Sequence, residues 1–253
     1  MAVKEHPLFN EVFANVNVWA MPKIQEVVKQ KGYQALFKPD SSHKLSPKQQ
    51  YEYNSYYWCK TLVDVLNRLE SIRTMTGRSL YKKKNEEKSL LLQEWIVYNY
   101  EHYTLVYQSI LDIALLLTNE VFSLGNPYKK CSYSTVCDNS RINGTSVHRI
   151  LEKLRKTTSK HHEGKNLLLH RGERIKLPLE SRILDTIDVT NMAIKFGIEV
   201  GDMRELVTEF LAIHTRRDLL AIMDKECKQI ESQVEKLFDE LLPVSRRMRS
   251  FYS

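Results

Sequence analysis

Apolar residues recur along this chain at steps of three and four, and the alternation that marks a half-buried strand is absent. Residues 47–77, PKQQYEYNSYYWCKTLVDVLNRLESIRTMTG, show the pattern most plainly. Tyr51, Cys59, Leu62, Val63, Leu66 and Leu69 fall on one helical face. Ser46 and Gln49 are spaced as a capping box ahead of that face, Pro47 suits the first helical position and Gly77 the stop. Upstream, HPLFNEVFANVNVWAMPKIQEVVKQKG predicts a helix with Pro22 in its first turn and Gly32 just past its end. The most apolar helix is predicted over Glu86–Leu124, closed by LGNP with Gly125 in the position after the helix. Thr145 or Ser146 then caps a helix through VHRILEKLRKTTSKHH, which Gly164 interrupts and KNLLLH resumes, with RGERIKLP ending it at Pro178. LESRILDTIDVTNMAIKFG predicts a helix ending at Gly197. Asp202 and Glu205 form a second capping box, opening a long helix that Pro243 should stop, with a frayed basic tail SRRMRSFYS. The fold class is all-α, a bundle of roughly five to seven helices, several of them long. Residues 1–80 read as an N-terminal helical extension or layer and 81–253 as the bundle, in one continuous globular unit.

Composition agrees with this pattern. Gly (8) and Pro (7) are scarce in 253 residues, and 42% of residues are hydrophobic, enough for a real core. Residues 125–145, GNPYKKCSYSTVCDNSRINGT, are the one long polar stretch, and stretches of that kind inside compact domains are functional or disordered. The N-terminus lacks the apolar run of a signal peptide, and Ile110–Leu117 is interrupted by Asp112 and too short to span a bilayer. A soluble cytoplasmic protein without a membrane partner is expected. Cys59, Cys131, Cys137 and Cys227 form no CxxC pair and no familiar zinc spacing, so free thiols are the simplest account and no metal or cofactor is expected.

Charge changes the picture more than composition does. The chain carries a net charge of +7, and between Arg141 and Lys176 ten Lys/Arg stand against three Glu, an excess equal to the whole net charge. Four of the eight histidines, His148, His161, His162 and His170, lie in the same stretch. Such a concentration is the footprint of a surface that meets a polyanion or a nucleotide, or else a solvated basic face. The Tyr-rich stretch Tyr51–Tyr57 offers rings that can stack on bases, and its spacing equally fits rings buried with their hydroxyls at the surface.

Phosphate-loop, dinucleotide, zinc-protease and serine-hydrolase motifs are absent. The stretch KNLLLHRGER, residues 165–174, is the sharpest candidate. Asn166 and His170 are helical neighbours at i and i+4, with Lys165 alongside. A cation, an amide and an imidazole are the parts of metal-free RNA cleavage. The imidazole moves the proton of a ribose 2′-OH, and the cation stabilises charge gathering on the phosphorane. Leu167, Leu168 and Leu169 are expected to bury the opposite face. The plain structural reading is a helix C-terminus, where Lys, His and Arg suit the dipole and Gly172 ends the turn.

KNLLLHRGE resembles the R-N-x-x-x-H signature of the HEPN superfamily, all-α domains that include metal-independent endoribonucleases of toxin–antitoxin and antiphage defence systems. The resemblance implies catalytic roles for His170, Asn166 and Lys165, the last standing where the family has arginine. It also implies RNA or phosphate contacts from Arg171, Arg174, Arg155, Lys160, His161 and His162, RNA as partner, a homodimer, and an antitoxin or nucleotidyltransferase partner. A looser arginine-to-histidine spacing occurs at Arg141–His148 and from Arg155 to His161 and His162. Lysine supplies charge but not the flat two-pronged contact of a guanidinium. Three outcomes are open: Lys165 serves with lower efficiency, a neighbouring arginine supplies the guanidinium, or the domain binds RNA, a nucleotide or a protein without cleaving.

Overall fold

The computed structural model describes residues 2–31, 45–78, 87–171 and 201–252. Among these residues there are helices and turns and no strand. The elements are α1 (Pro7–Lys31), α2 (Pro47–Gly77), α3 (Glu87–Val121), α4 (Tyr133–Cys137), α5 (Ser146–Thr158), α6 (His162–Asn166) and α7 (Gly201–Phe251). The all-α reading holds. The helix predicted to end at Gly197 and the stop at Pro178 lie outside the described residues.

Local signals set several boundaries as predicted. Ser46 N–H donates to Gln49 Oε1 at 3.1 Å and Gln49 N–H to Ser46 Oγ at 3.3 Å, the reciprocal capping box of α2. Its periodic face is buried, with Cys59 and Leu62 at 0% exposure. Thr145 Oγ1 accepts from His148 N–H at 3.3 Å, capping α5. Three boundaries differ. Helix α1 begins at Pro7 and runs through Pro22, and α7 runs through Pro243 to Phe251 instead of stopping there. Both prolines are exposed, and so are Val18 and Asp239, whose carbonyls each proline deprives of a donor; water can satisfy them. Helix α3 ends at Val121, not Leu124. Ser123 takes the left-handed conformation (φ 48°) and Leu124 N–H reaches back to Asn119 O at 2.9 Å. Gly125 follows with φ 76°.

The chain forms two compact units. The first holds Met1–Val65, Ile110–Thr157 and Ile230–Ser253. Its core includes Leu8 and Val12 of α1, Leu62 and Val63 of α2, Ile110, Leu117 and Val121 of α3, Leu151 and Leu154 of α5, and Val234, Leu237 and Phe238 of α7. Helix α1 is also held by polar contacts. His6 Nε2 meets Asp239 at 3.0 Å, Trp19 Nε1 donates to Glu52 at 3.0 Å, and Arg249 Nε donates to the same carboxylate at 2.9 Å. The long polar stretch is ordered by its own hydrogen bonds. Ser132 and Thr135 cap α4 reciprocally, the Asn119 amide clasps the backbone of Asn126, and Arg141 donates to Phe122 O at 3.1 Å.

The second unit holds Leu66–Ser109 and Thr158–Gln229. Leu66, Leu69 and Ile72 of α2, Ile96, Tyr103, Val106 and Tyr107 of α3, and Leu219 and Met223 of α7 are buried in it. Arg73 joins Glu70 on its own helix to Asp224 on α7, at 2.8 Å to the latter.

Candidate functional site

Helix α5 is strongly amphipathic. Val147, Leu151 and Leu154 are buried, and Arg149, Lys153, Arg155 and Lys156 face out. Arg155 belongs to the first unit, with its guanidinium 4.4 Å above the Tyr133 ring. Lys156 pairs with Glu152 at 2.8 Å, and that hydrogen bond lowers the Glu152 pKa.

The second unit takes up the chain at Thr158, whose carbonyl accepts from the Gln108 amide of α3. A 3-10 turn, Ser159–His161, then drives one histidine inward. His161 is 7% exposed, with both ring nitrogens engaged: Nε2 at 3.0 Å from Glu226 and Nδ1 at 3.3 Å from Thr104. The rings of Tyr100, Tyr103 and Tyr107 surround the imidazole at 5.0–6.1 Å. Tyr103 donates its hydroxyl to Glu226 at 3.2 Å. Burial pushes the Cys227 thiol up to about 11 and the Tyr100 phenol up to about 12, and raises Tyr103 and Tyr107 further. The cluster is therefore one carboxylate and one imidazole among groups that keep their protons at neutral pH. His161 is buried, with both ring nitrogens engaged inside the unit. Lys160 and His162, on either side of it, are exposed.

Beyond this anchor the chain turns outward. Helix α6 leaves Asn166 exposed and Lys165 half-buried. The Leu167 N–H is shared between the carbonyls of Glu163 and Gly164. The next turn, Leu167–Arg171, is π-helical, carrying His170 and Arg171 exposed. The leucine triplet is not the buried anchor expected of it. Leu167 and Leu168 are half-buried, and Leu169 is 56% exposed. Arg174 lies outside the described residues. Lys165, Asn166, His170 and Arg171 thus share one short helical run that is at least partly accessible.

A family model described as Cthe2314-like HEPN matches residues 58–238, more than two thirds of the chain. The chain belongs to this HEPN family. The matched region opens at Trp58 inside α2, contains the whole run from α5 to Arg171, and closes at Phe238 in α7, leaving α1 outside it. Comparison with curated proteins found no match, and neither did comparison with solved structures. Among the described residues of this HEPN chain, no helix is long and apolar enough to cross a membrane.

The Glu226 and Thr104 partners of His161 escaped the reading of the sequence. A signal for the first was present. Glu226 falls at an inward position of α7, in step with Leu219, Met223 and Ile230, all at 0% exposure. An acid on a buried stripe calls for a partner.

Proposed function

We propose that this HEPN protein is a metal-independent endoribonuclease with its chemistry on the 165–171 run. His170 accepts the proton of a ribose 2′-OH as O2′ bonds to the adjacent phosphorus, and the P–O5′ bond breaks as that proton is returned through water to O5′. Lys165 supplies positive charge to the phosphorane oxygens, and the Asn166 amide donates a hydrogen bond to the phosphate. Arg171 and Arg174 add charge beside it. The basic 141–176 segment guides the RNA backbone, with contacts from Arg155, Lys160 and His162, and the buried His161 anchors the turn that carries Lys160.

The observation that carries this reading is the exposed His170 and Asn166, next to half-buried Lys165, in a chain of the HEPN family. RNA affinity should fall as salt rises, by roughly 0.7–0.9 in log–log slope per phosphate contacted. A homodimer, an antitoxin or nucleotidyltransferase partner and a role in toxin or antiphage systems follow from the family reading, in a cytoplasmic setting. Lysine at position 165 favours one rival specifically, a non-catalytic module that binds RNA, a nucleotide or a protein partner. Product ends separate the two. Incubation with structured and unstructured RNA in excess EDTA should yield 2′,3′-cyclic phosphate and 5′-OH ends. Cleavage abolished by EDTA, or 5′-phosphate ends, contradicts the mechanism, and no cleavage of any RNA leaves the binding module.

A further inference from the structure

The tyrosine-rich start of α2 divides in two. Tyr51 is buried at 7% exposure and belongs to the core. Tyr53 and Tyr57, two and six residues on, are 44% and 48% exposed. Their ring planes lie 28° apart with centroids 6.4 Å apart, an offset stack along the outside of the helix. Trp58 meets Tyr57 edge-on at 4.9 Å and meets Tyr128 edge-on at 5.4 Å. Tyr128, itself 49% exposed, opens the 3-10 turn Tyr128–Lys130, so Lys129 and Lys130 follow it directly at the surface. All of these residues lie in the first unit.

The core does not require this arrangement, since α2 buries its Tyr51, Cys59, Leu62 and Val63 face instead. Three half-exposed rings, two of them packed edge-on against Trp58 and the third stacked on Tyr57, present flat π-faces at the surface. Two lysines beside them supply positive charge. A stacking face next to cations is what unpaired bases and their phosphates require, and sequence is indifferent because every base has such a face. Protein interfaces also favour aromatic rings but are depleted in lysine, so the two lysines bordering these rings favour a polyanion over a protein partner.

We infer that Tyr53, Tyr57 and Tyr128, the last two packed against Trp58 and all flanked by Lys129 and Lys130, form a platform that stacks unpaired bases of single-stranded RNA. The inference rests on the RNA reading above and names a contact surface outside the 165–171 run. It gives the enzyme a preference for unpaired substrate that the catalytic run alone does not supply.

The test is fluorescence anisotropy of the full chain with a labelled mixed-sequence single-stranded RNA and with a blunt duplex of equal length. Tyr57→Ala and Tyr128→Ala should each raise Kd for the single strand about tenfold. Tyr57→Leu keeps apolar bulk against Trp58 and should lose as much as the alanine. Tyr57→Phe and Tyr128→Phe should bind within about twofold of wild type. Duplex affinity should not change in any of them. Lys129→Gln should reduce the salt slope by about 1. Circular dichroism and thermal melting identify a misfolded variant, and the leucine and phenylalanine pair then decides. Wild-type binding with unchanged Kd in the alanine and leucine variants overturns the platform and leaves the nuclease reading intact. Duplex binding weakened equally, or a changed oligomeric state with unchanged RNA affinity, overturns it also. A wild type that neither binds nor cleaves RNA overturns both.

Discussion

His161 and His170 stand nine residues apart in one basic segment, and the fold treats them in opposite ways. His161 is closed inside the second unit between Glu226 and Thr104 and ringed by three tyrosines. His170 stands exposed on a π turn. By sequence both are histidines among lysines, leucines and arginines. The difference teaches that one anchors the segment and the other is available to a ligand. The buried imidazole has both ring nitrogens engaged within the protein, whereas the exposed one faces solvent.

The comparison breaks most readily in stability. His161→Ala strips the buried Glu226 carboxylate of its nearest partner and should cost about 3 kcal/mol in urea unfolding. His170→Ala should change stability by no more than about 0.5 kcal/mol. Equal losses in the two variants would erase the distinction. Next in size is Lys165→Arg, which restores the two-pronged phosphate contact and should raise the cleavage rate severalfold, or leave it unchanged if another arginine already fills the role. Glu226→Gln preserves acceptors for Tyr103 and His161 and should cost about 1 kcal/mol.

The smallest effect concerns acid. The Arg73 hydrogen bond holds Glu70 below the usual carboxylate range, and Arg246 does the same for Glu11. A lowered carboxyl pKa favours the folded state while the group is ionised. That contribution is fully present above the ordinary carboxylate pKa and is lost as pH falls from there through the lowered pKa of the folded state. Urea midpoints measured from pH 7 to pH 3 should therefore decline, and less steeply in Glu70→Gln.

Much of the helical frame was legible. The Ser46–Gln49 box, the buried stripe of α2 and the Thr145 cap are local, and local rules found them. Pro22 and Pro243 misled because the carbonyls they leave without a donor lie on exposed faces, where water can reach them, a fact of tertiary placement. The end of α3 depends on Ser123 adopting a left-handed conformation two residues before Gly125, which adopts one too. At the site, the K-N-x-x-x-H run could be read directly. The inward turn of His161 could not, because it depends on a 3-10 turn and on Thr104 and Glu226, which are distant in sequence. The half-exposed leucine triplet had no local signal either: apolar composition alone does not say which side meets the core.

The central claim, that His170 performs the chemistry, is tested most directly by one measurement: the initial rate of RNA cleavage in EDTA by folded His170→Ala relative to wild type. The prediction is a fall of about 10²–10⁴-fold with unchanged melting behaviour. Cleavage that survives the substitution would remove His170 from the mechanism.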